Sequence, residues 1–295
     1  MTDVVNAMSV DVEDYFQVSA FDAVVSRTEW DRLESRVVAN TTRVLELFDK
    51  AGVKATFFVL AWVAERYPAL VRTIASQGHE IGSHGFNHQL VYTLTGDQFR
   101  DDVRRSKGVL EEITGQVVAG YRAPSFSIIK SSMWALDVLA EEGYRYDTSI
   151  FPVRHDRYGV PDAPRHLYAI TDRLLELPPS TVRVGGTNLP IAGGGYFRLL
   201  PYSWTRWGIH RLNTQEKQPA VFYLHPWEID PGQPRFTVGR GTRLRHYRNL
   251  DRTADRLTQL MHDFRFGTIA SVLERHEPHV QEQFVPLAAS GLHHA

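Results

Sequence analysis

Two histidines four positions apart, His84 and His88 in the run Gly82-Ser-His-Gly-Phe-Asn-His88, are the first residues of this 295-residue chain whose types and spacing suggest chemistry. On a helix, imidazoles at i and i+4 face one side and grip one divalent cation. The flanking Gly82 and Gly85 point instead to a loop or a single turn, which clamps a cation equally well, and a solvated loop pair would look the same. The acidic cluster Asp11, Glu13 and Asp14 in SVDVED supplies what the pair lacks. Two neutral imidazoles and one carboxylate leave a coordination position open for water, as catalytic zinc sites do. A second carboxylate beside that water would act as general base, and an arginine nearby would keep it ionised and oriented. Arg122, followed by Ala123-Pro124, is the candidate; its plain alternative is a surface arginine. His225, after the apolar run AVFYL, has an ordinary pKa near neutrality and so suits proton donation to a leaving group, although a packed core histidine fits the same context. Asp147 in YDTS would tune such a histidine by accepting its hydrogen bond, or else serve as a turn aspartate.

These residues recur where predicted strands end. The short β-prone run Ala7–Val12 ends in the acids, and apolar periodicity predicts a helix over Val37–Lys50 with Gly52 as its stop. Val53–Leu60 predicts a buried strand, a helical stretch runs to Ser76, and His79–Ile81 predicts a strand feeding the histidine loop. Thr95 with Gln98 predicts a capping box. Gln116–Tyr121, Ala220–Leu224 and Phe266–Ala270 predict further strands, and Ser131–Glu142 and Asn249–Phe264 further helices. Strand and helix thus alternate, which predicts an α/β architecture with a parallel sheet, and in such barrels the C-terminal strand ends gather into one active site. Residues 152–201 hold seven of the 15 prolines and six of the 21 glycines, Gly193-Gly194-Gly195 among them, and predict loops and short irregular strands inserted into the barrel. The boundaries expected are one domain over 1–276 and a mobile tail over 277–295.

Composition narrows the function classes. The chain has no cysteine, so disulfides, thiolate nucleophiles and Cys-ligated zinc are excluded. Its 33 Lys+Arg against 34 Asp+Glu give a net charge of −1, which offers no single-sign field for nucleic acid. The longest apolar run, Phe57–Ala64, falls well short of the roughly 20 residues that span a bilayer, and the N-terminus lacks a signal-peptide pattern, so a cytoplasmic protein is expected, with the periplasm as alternative. Oligomeric state has no signature in the sequence.

The ordered set of motifs resembles the polysaccharide deacetylase family with the NodB homology domain, the carbohydrate esterase family 4 type. SVDVED resembles its first motif, SHGFNH within GHEIGSHGFNH its second, KATFFVL its ATFF strand, Arg122-Ala-Pro-Ser-Phe126 its third, and Leu224-His225 its last. DVEDYF, YDTSIFPVRHDRYG, GGGYFR and FYLHPWEID together resemble the subgroup associated with exopolysaccharide loci and exosortase systems (the PEP-CTERM, DUF3473 group). The resemblance implies a distorted, incomplete (β/α)7-type barrel. It implies a hydrolase that removes N-acetyl groups from hexosamines of a bacterial exopolysaccharide or its precursor, using zinc or another divalent metal such as cobalt, nickel or manganese. The metal ligands implied are Asp14, His84 and His88. Strand alternation favours Glu13 as the alternative carboxylate, because it shares a face with Asp11. Asp11 would be the base, oriented by Arg122; a backbone N–H at or near Phe126 would help stabilise the oxyanion; and His225, assisted by Asp147, would protonate the departing amine. Phe126, Tyr196 and Trp227 would bind sugar, unless such aromatics simply pack in the core. The implied partner is a carbohydrate bearing N-acetylhexosamine, and overall neutrality suits a chain uncharged before deacetylation. The rival functions are a small-molecule amidohydrolase of the same fold, such as a formamidase or ureide hydrolase, an O-acetyl esterase, and a catalytically silent sugar-binding protein.

Overall fold

The computed structural model describes residues 3–276; the expected tail over 277–295 lies outside them. Seven parallel strands form the frame: β1 (Val5–Val12), β2 (Thr56–Val59), β3 (Glu80–Ser83), β4 (Gly120–Tyr121), β5 (Tyr146–Asp147), β7 (Leu175–Glu176) and β10 (Val221–Leu224). Their order is β10-β1-β2-β3-β4-β5-β7, and β6 (Tyr168–Ala169) adds antiparallel to β7 at the far edge. The sheet curls but does not close, which gives the incomplete (β/α)7-type barrel expected. A further strand, β11 (Arg265–Gly267), pairs with the first half of β1. Off the sheet, β8 (Thr181–Val184) and β9 (Thr187–Pro190) make a hairpin.

Apolar β-strand residues and amphipathic helices account for this frame. Helix α1 (Val37–Ala51) buries Val37, Val44, Leu45 and Phe48, and Gly52 ends it in the left-handed conformation at φ 64°. The helix expected to run through to Ser76 is two, α2 (Ala61–Arg66) and α3 (Pro68–Ser76). Proline at the first position of α3 forces Tyr67 out of the helical region, to φ −127° and ψ 55°. Thr95 and Gln98 form the expected reciprocal box at the start of α4 (Gly96–Thr114). The remaining long elements are α5 (Trp134–Glu141), α6 (Gly194–Leu199), α7 (Tyr202–Arg211), α8 (Arg240–Tyr247), α9 (Leu250–Asp263) and α10 (Ile269–His276). One buried cluster reaches from Met8 to Phe264 and joins strands to helices across the chain.

The Pro/Gly-rich segment differs from expectation. It is not only an insert between barrel elements, because β7 pairs in parallel with β5 through Tyr146↔Leu175 and Asp147↔Glu176 and so extends the wall. A two-residue strand carries too little periodicity to be seen in sequence.

Strands β4 and β5 approach closely through a glycine. Gly120 stands opposite Tyr146, whose ring lies over it and whose hydroxyl donates to Glu80 Oε1 at 2.8 Å. A Cβ at Gly120 would overlap that phenol. Gly120→Ala is expected to destabilise the fold by about 1–3 kcal/mol through overpacking, seen as a lowered midpoint in thermal unfolding; an unchanged midpoint would mean that Tyr146 swings away freely.

Candidate functional site

Four functional side chains are each the first residue after a parallel strand: Glu13 after β1, His84 after β3, Arg122 after β4 and His225 after β10. Asp11 is the penultimate residue of β1. Strand ends on one side of a parallel sheet converge, so five residues spread over more than two hundred positions share one space.

Glu13, His84 and His88 form the candidate metal centre, with one ligand atom from each lying within 4.8 Å of the others. All three are buried. His84 Nδ1 sits 2.8 Å from the Arg122 carbonyl oxygen. A carbonyl only accepts, so Nδ1 carries the proton and Nε2 presents its lone pair to the centre. Glu13 Oε2 lies 2.9 Å from His88 Nε2 and has no aligned hydrogen-bond donor, while Oε1 accepts from Trp227 Nε1 at 3.2 Å. An orphaned buried carboxylate oxygen facing two imidazoles fits a divalent cation. Burial opposes ionisation of Glu13, yet His88, His225 and His84 hold its carboxyl down at about 2. Burial likewise pushes His84 down to about 4, leaving it neutral as a ligand must be. The loop is pinned from outside: Arg27 donates to the carbonyls of Asn87 and His88 at 2.9 Å, and Asp102 accepts from Phe86 N at 3.0 Å.

The favoured carboxylate of the sequence reading, Asp14, does not reach this centre. Its Oδ2 accepts from Ser35 Oγ at 2.7 Å, Arg36 N at 2.9 Å and Val37 N at 3.2 Å, and its Oδ1 from Tyr15 N at 3.0 Å. The N-cap of α1 is Arg36, which offers no side-chain cap, so the exposed first-turn amides draw in the neighbouring Asp14 instead. Glu13, the alternative, stands beside His84 and His88.

Asp11 and Arg122 meet as expected in sequence. Arg122 Nη1 donates to Asp11 Oδ1 at 2.7 Å and to Ser9 Oγ at 2.8 Å; Nη2 donates to Thr148 Oγ1 at 3.2 Å; and the guanidinium packs over the Phe58 ring at 4.3 Å. Arg122 is 0% exposed, so the surface alternative is excluded. The other Asp11 oxygen, Oδ2, faces His225 Nε2 at 3.8 Å.

The partner of His225 is not Asp147. Asp147 is tied to Ser149 Oγ at 2.5 Å and lies beside Glu176, where burial raises its pKa to about 6. The Nδ1 of His225 instead contacts Glu228 Oε1 at 3.2 Å, and Glu228 is paired in turn with the buried Arg198 at 3.4 Å. A short 3-10 turn over Pro226–Ile229 brings positions i and i+3 together. Proline directly after the histidine was the available signal for that turn, and Glu228 was missed. Burial opposes protonation of His225, but Glu13, Glu228 and Asp11 outweigh it and lift the imidazole to about 9.

The aromatic candidates divide. Phe126 and Trp227 line the pocket above this floor, a cavity of about 230 Å³, whereas Tyr196 stands behind it, its hydroxyl 3.1 Å from that of the lining residue Tyr158. Trp227 is 4% exposed and stacks on His225 and His246, which leaves little ring surface for a sugar. The Phe126 N–H, expected as an oxyanion donor, is already donated to the Ala123 carbonyl at 3.0 Å. Ser125 and Phe126 both hold left-handed φ, 52° and 54°, a strained pair at the pocket wall.

Residues 21–146 match the family model described as polysaccharide deacetylase, and residues 148–274 the one described as a domain of unknown function, DUF3473. The seam falls at β5, so His84, His88 and Arg122 lie in the first span, His225, Glu228 and Arg198 in the second, and Asp11 and Glu13 precede both. A peptidoglycan-N-acetylglucosamine deacetylase of Bacillus cereus is 28% identical over 120 residues, 37% of this chain and 44% of that protein. A peptidoglycan deacetylase of Helicobacter pylori is 32% identical over 110 residues, 37% of this chain and 36% of that protein. The matched stretches thus span less than half of either relative. The fold is shared with a putative polysaccharide deacetylase from Mycobacterium smegmatis, at TM-score 0.58 and 24% identity, covering 95% of this chain and 91% of that one. No helix among the described residues is long and apolar enough to cross a membrane.

Two measurements check the assignments made from this geometry. Glu13→Ala is expected to weaken zinc binding at least about tenfold, as loss of a ligand does, while Asp14→Ala costs about 1–2 kcal/mol of stability through the lost cap and leaves zinc affinity near wild type; calorimetry and thermal unfolding separate the two. In the metal-free protein, nuclear magnetic resonance is expected to find the His225 imidazole titrating near 9 rather than 6.5. The stability linked to that pairing is full below pH 6.5 and is lost as pH rises through about 9. Glu228→Gln should lower the midpoint by about one unit or more; an unshifted midpoint would exclude Glu228 as the tuning partner.

Proposed function

We propose, from the premise that the chain belongs to the polysaccharide deacetylase family, that it hydrolyses the N-acetyl group of a hexosamine in a bacterial exopolysaccharide or its precursor. The observation that carries this reading is the facing of Asp11 Oδ2 and His225 Nε2, 3.8 Å apart, beside a Glu-His-His cluster at the floor of one pocket. The site draws on both matched spans and on β1, and we infer that residues 1–276 act as a single catalytic domain.

A divalent cation held by Glu13, His84 and His88, zinc by the chemistry of the donors, would supply a Lewis acid to polarise the acetamide carbonyl and acidify water. The chain's own residues do the rest. Arg122 engages one oxygen of Asp11 and so fixes the other toward the pocket, where it accepts a proton from the attacking water. His225, its Nε2 facing Asp11 and the pocket, donates a proton to the amide nitrogen as its bond to the acetyl carbon breaks. The products are acetate and the free amine. Glu228 holds Nδ1 and is held in turn by Arg198, which leaves Nε2 directed at the leaving group. Phe126, Tyr158 and Tyr223 form the wall against which a sugar ring would lie.

The test is acetate release by metal-stripped and zinc-reconstituted protein from N-acetylglucosamine oligomers, with an O-acetylated sugar and small amides in parallel. Metal-dependent release is expected from the N-acetylated sugars. It should fall by at least about a hundredfold in His84→Ala and in His225→Ala, the scale of losing a metal ligand or a proton donor. Release from no N-acetylhexosamine, or equal release by wild type and His84→Ala, would defeat the reading; faster turnover of small amides would favour the amidohydrolase alternative.

A further inference from the structure

The carboxylates that line the pocket all lie at its floor, and each faces a basic side chain. Asp11 is paired with Arg122 at 2.7 Å, Glu13 with His88 at 2.9 Å and Glu228 with Arg198 at 3.4 Å. Two other lining cations, Arg157 and Arg245, are exposed and so stand at the rim. Among the described residues neither guanidinium has an ion pair or a hydrogen bond. Two acids stand nearby, each with its own closest partner: Asp22, within electrostatic range of Arg157, lies 3.9 Å from Arg27, and Asp156 lies 3.0 Å from His155 Nδ1.

The two arginines come from separate parts of the chain, Arg157 from the loop after β5 and Arg245 from the last turn of α8. They line one pocket. Both lie within electrostatic range of His155, whose ring stacks on that of the lining residue Tyr158 at 3.8 Å. Unpaired surface arginines are ordinary when scattered; two from distant segments on one pocket rim make a concentrated positive field over a low-dielectric aromatic wall. Their forked donors suit a planar carboxylate or a phosphate.

We propose that the sugar taken by this site carries an anionic substituent, a carboxylate or a phosphate, which Arg157 and Arg245 hold at the rim while the acetamide reaches the floor. The substrate class rests on the deacetylase reading for the floor, whereas the charge preference rests on the rim alone. The net charge of −1 is a sum over the whole chain and says nothing of the charge at one pocket rim.

The experiment is calorimetric binding to the zinc-loaded protein of three ligands: methyl N-acetylglucosaminide, N-acetylmuramic acid and N-acetylglucosamine 1-phosphate. Wild type is expected to bind at least one anionic ligand about tenfold more tightly than the neutral one, equivalent to about 1.4 kcal/mol, and less so at high salt. The carboxylate and phosphate arms identify which group is preferred. In the double variant Arg157→Gln/Arg245→Gln the ratio should fall to within about twofold of one, whereas Arg154→Gln, an exposed arginine of the same loop outside this pocket, should keep the wild-type ratio. A wild-type ratio near one, or a ratio unaltered in the double variant, overturns the proposal. If charge-selective binding is lost in the double variant but no N-acetylhexosamine is ever deacetylated, the rim stands and the deacetylase reading falls. If neutral and anionic sugars are deacetylated with equal kcat/KM by wild type and double variant alike, the rim falls and the deacetylase reading stands.

Discussion

A guanidinium with no exposed surface, placed at the C-terminal end of β4, is the constraint on which the site depends. Arg122 has to be matched where it lies, because an unpaired charge in the interior costs several kcal/mol. Asp11, Ser9 and Thr148 match it from two other strand ends, and Phe58 supplies a ring face below. The peptide of the same residue holds His84, whose Nδ1 donates to the Arg122 carbonyl. One residue therefore fixes both the carboxylate read as the base and the tautomer of a candidate metal ligand. Asp147 is bound to Ser149 and lies beside Glu176, where burial raises both carboxyls above their ordinary range.

Adjacent carboxylates in the first motif show how a helix terminus decides a role. Glu13 and Asp14 are chemically alike, but the first turn of α1 begins at a residue that cannot cap it, and Asp14 is within reach of those amides. Once Asp14 is drawn outward, Glu13 emerges on the side of Asp11, with His225 Nε2 3.6 Å from the one and 3.8 Å from the other. The longer side chain then spans to His88 and to Trp227. A spacing of one residue thus separates a helix cap from a candidate ligand.

Whole-chain charge and local charge lead to different expectations about the substrate. Near-neutrality in composition is compatible with an uncharged polymer, yet the pocket rim concentrates two unpaired arginines over aromatic walls. Field strength at a cleft depends on where charges stand and on the low dielectric beside them, not on their sum.

By itself the sequence determined the alternation of strand and helix, the capping of α4, the stop of α1 at Gly52, and the gathering of His84, His88, Asp11, Arg122 and His225 at strand ends. Each of these follows from periodicity, from a capping residue or from a run of apolar residues that ends in polar ones, signals carried within about a dozen positions. Tertiary structure alone decided the rest. The choice of Glu13 over Asp14 turned on amides twenty-two residues away, the replacement of Asp147 by Glu228 on the direction of a four-residue 3-10 turn, and the entry of Leu175-Glu176 into the sheet on a strand too short to show a period. Arg157 and Arg245 share a pocket only because a loop and a helix end, far apart in the chain, both line it. Hydrogen-bond demand and through-space charge act between whatever groups the fold brings close, and such proximity is not written in the spacing along the chain.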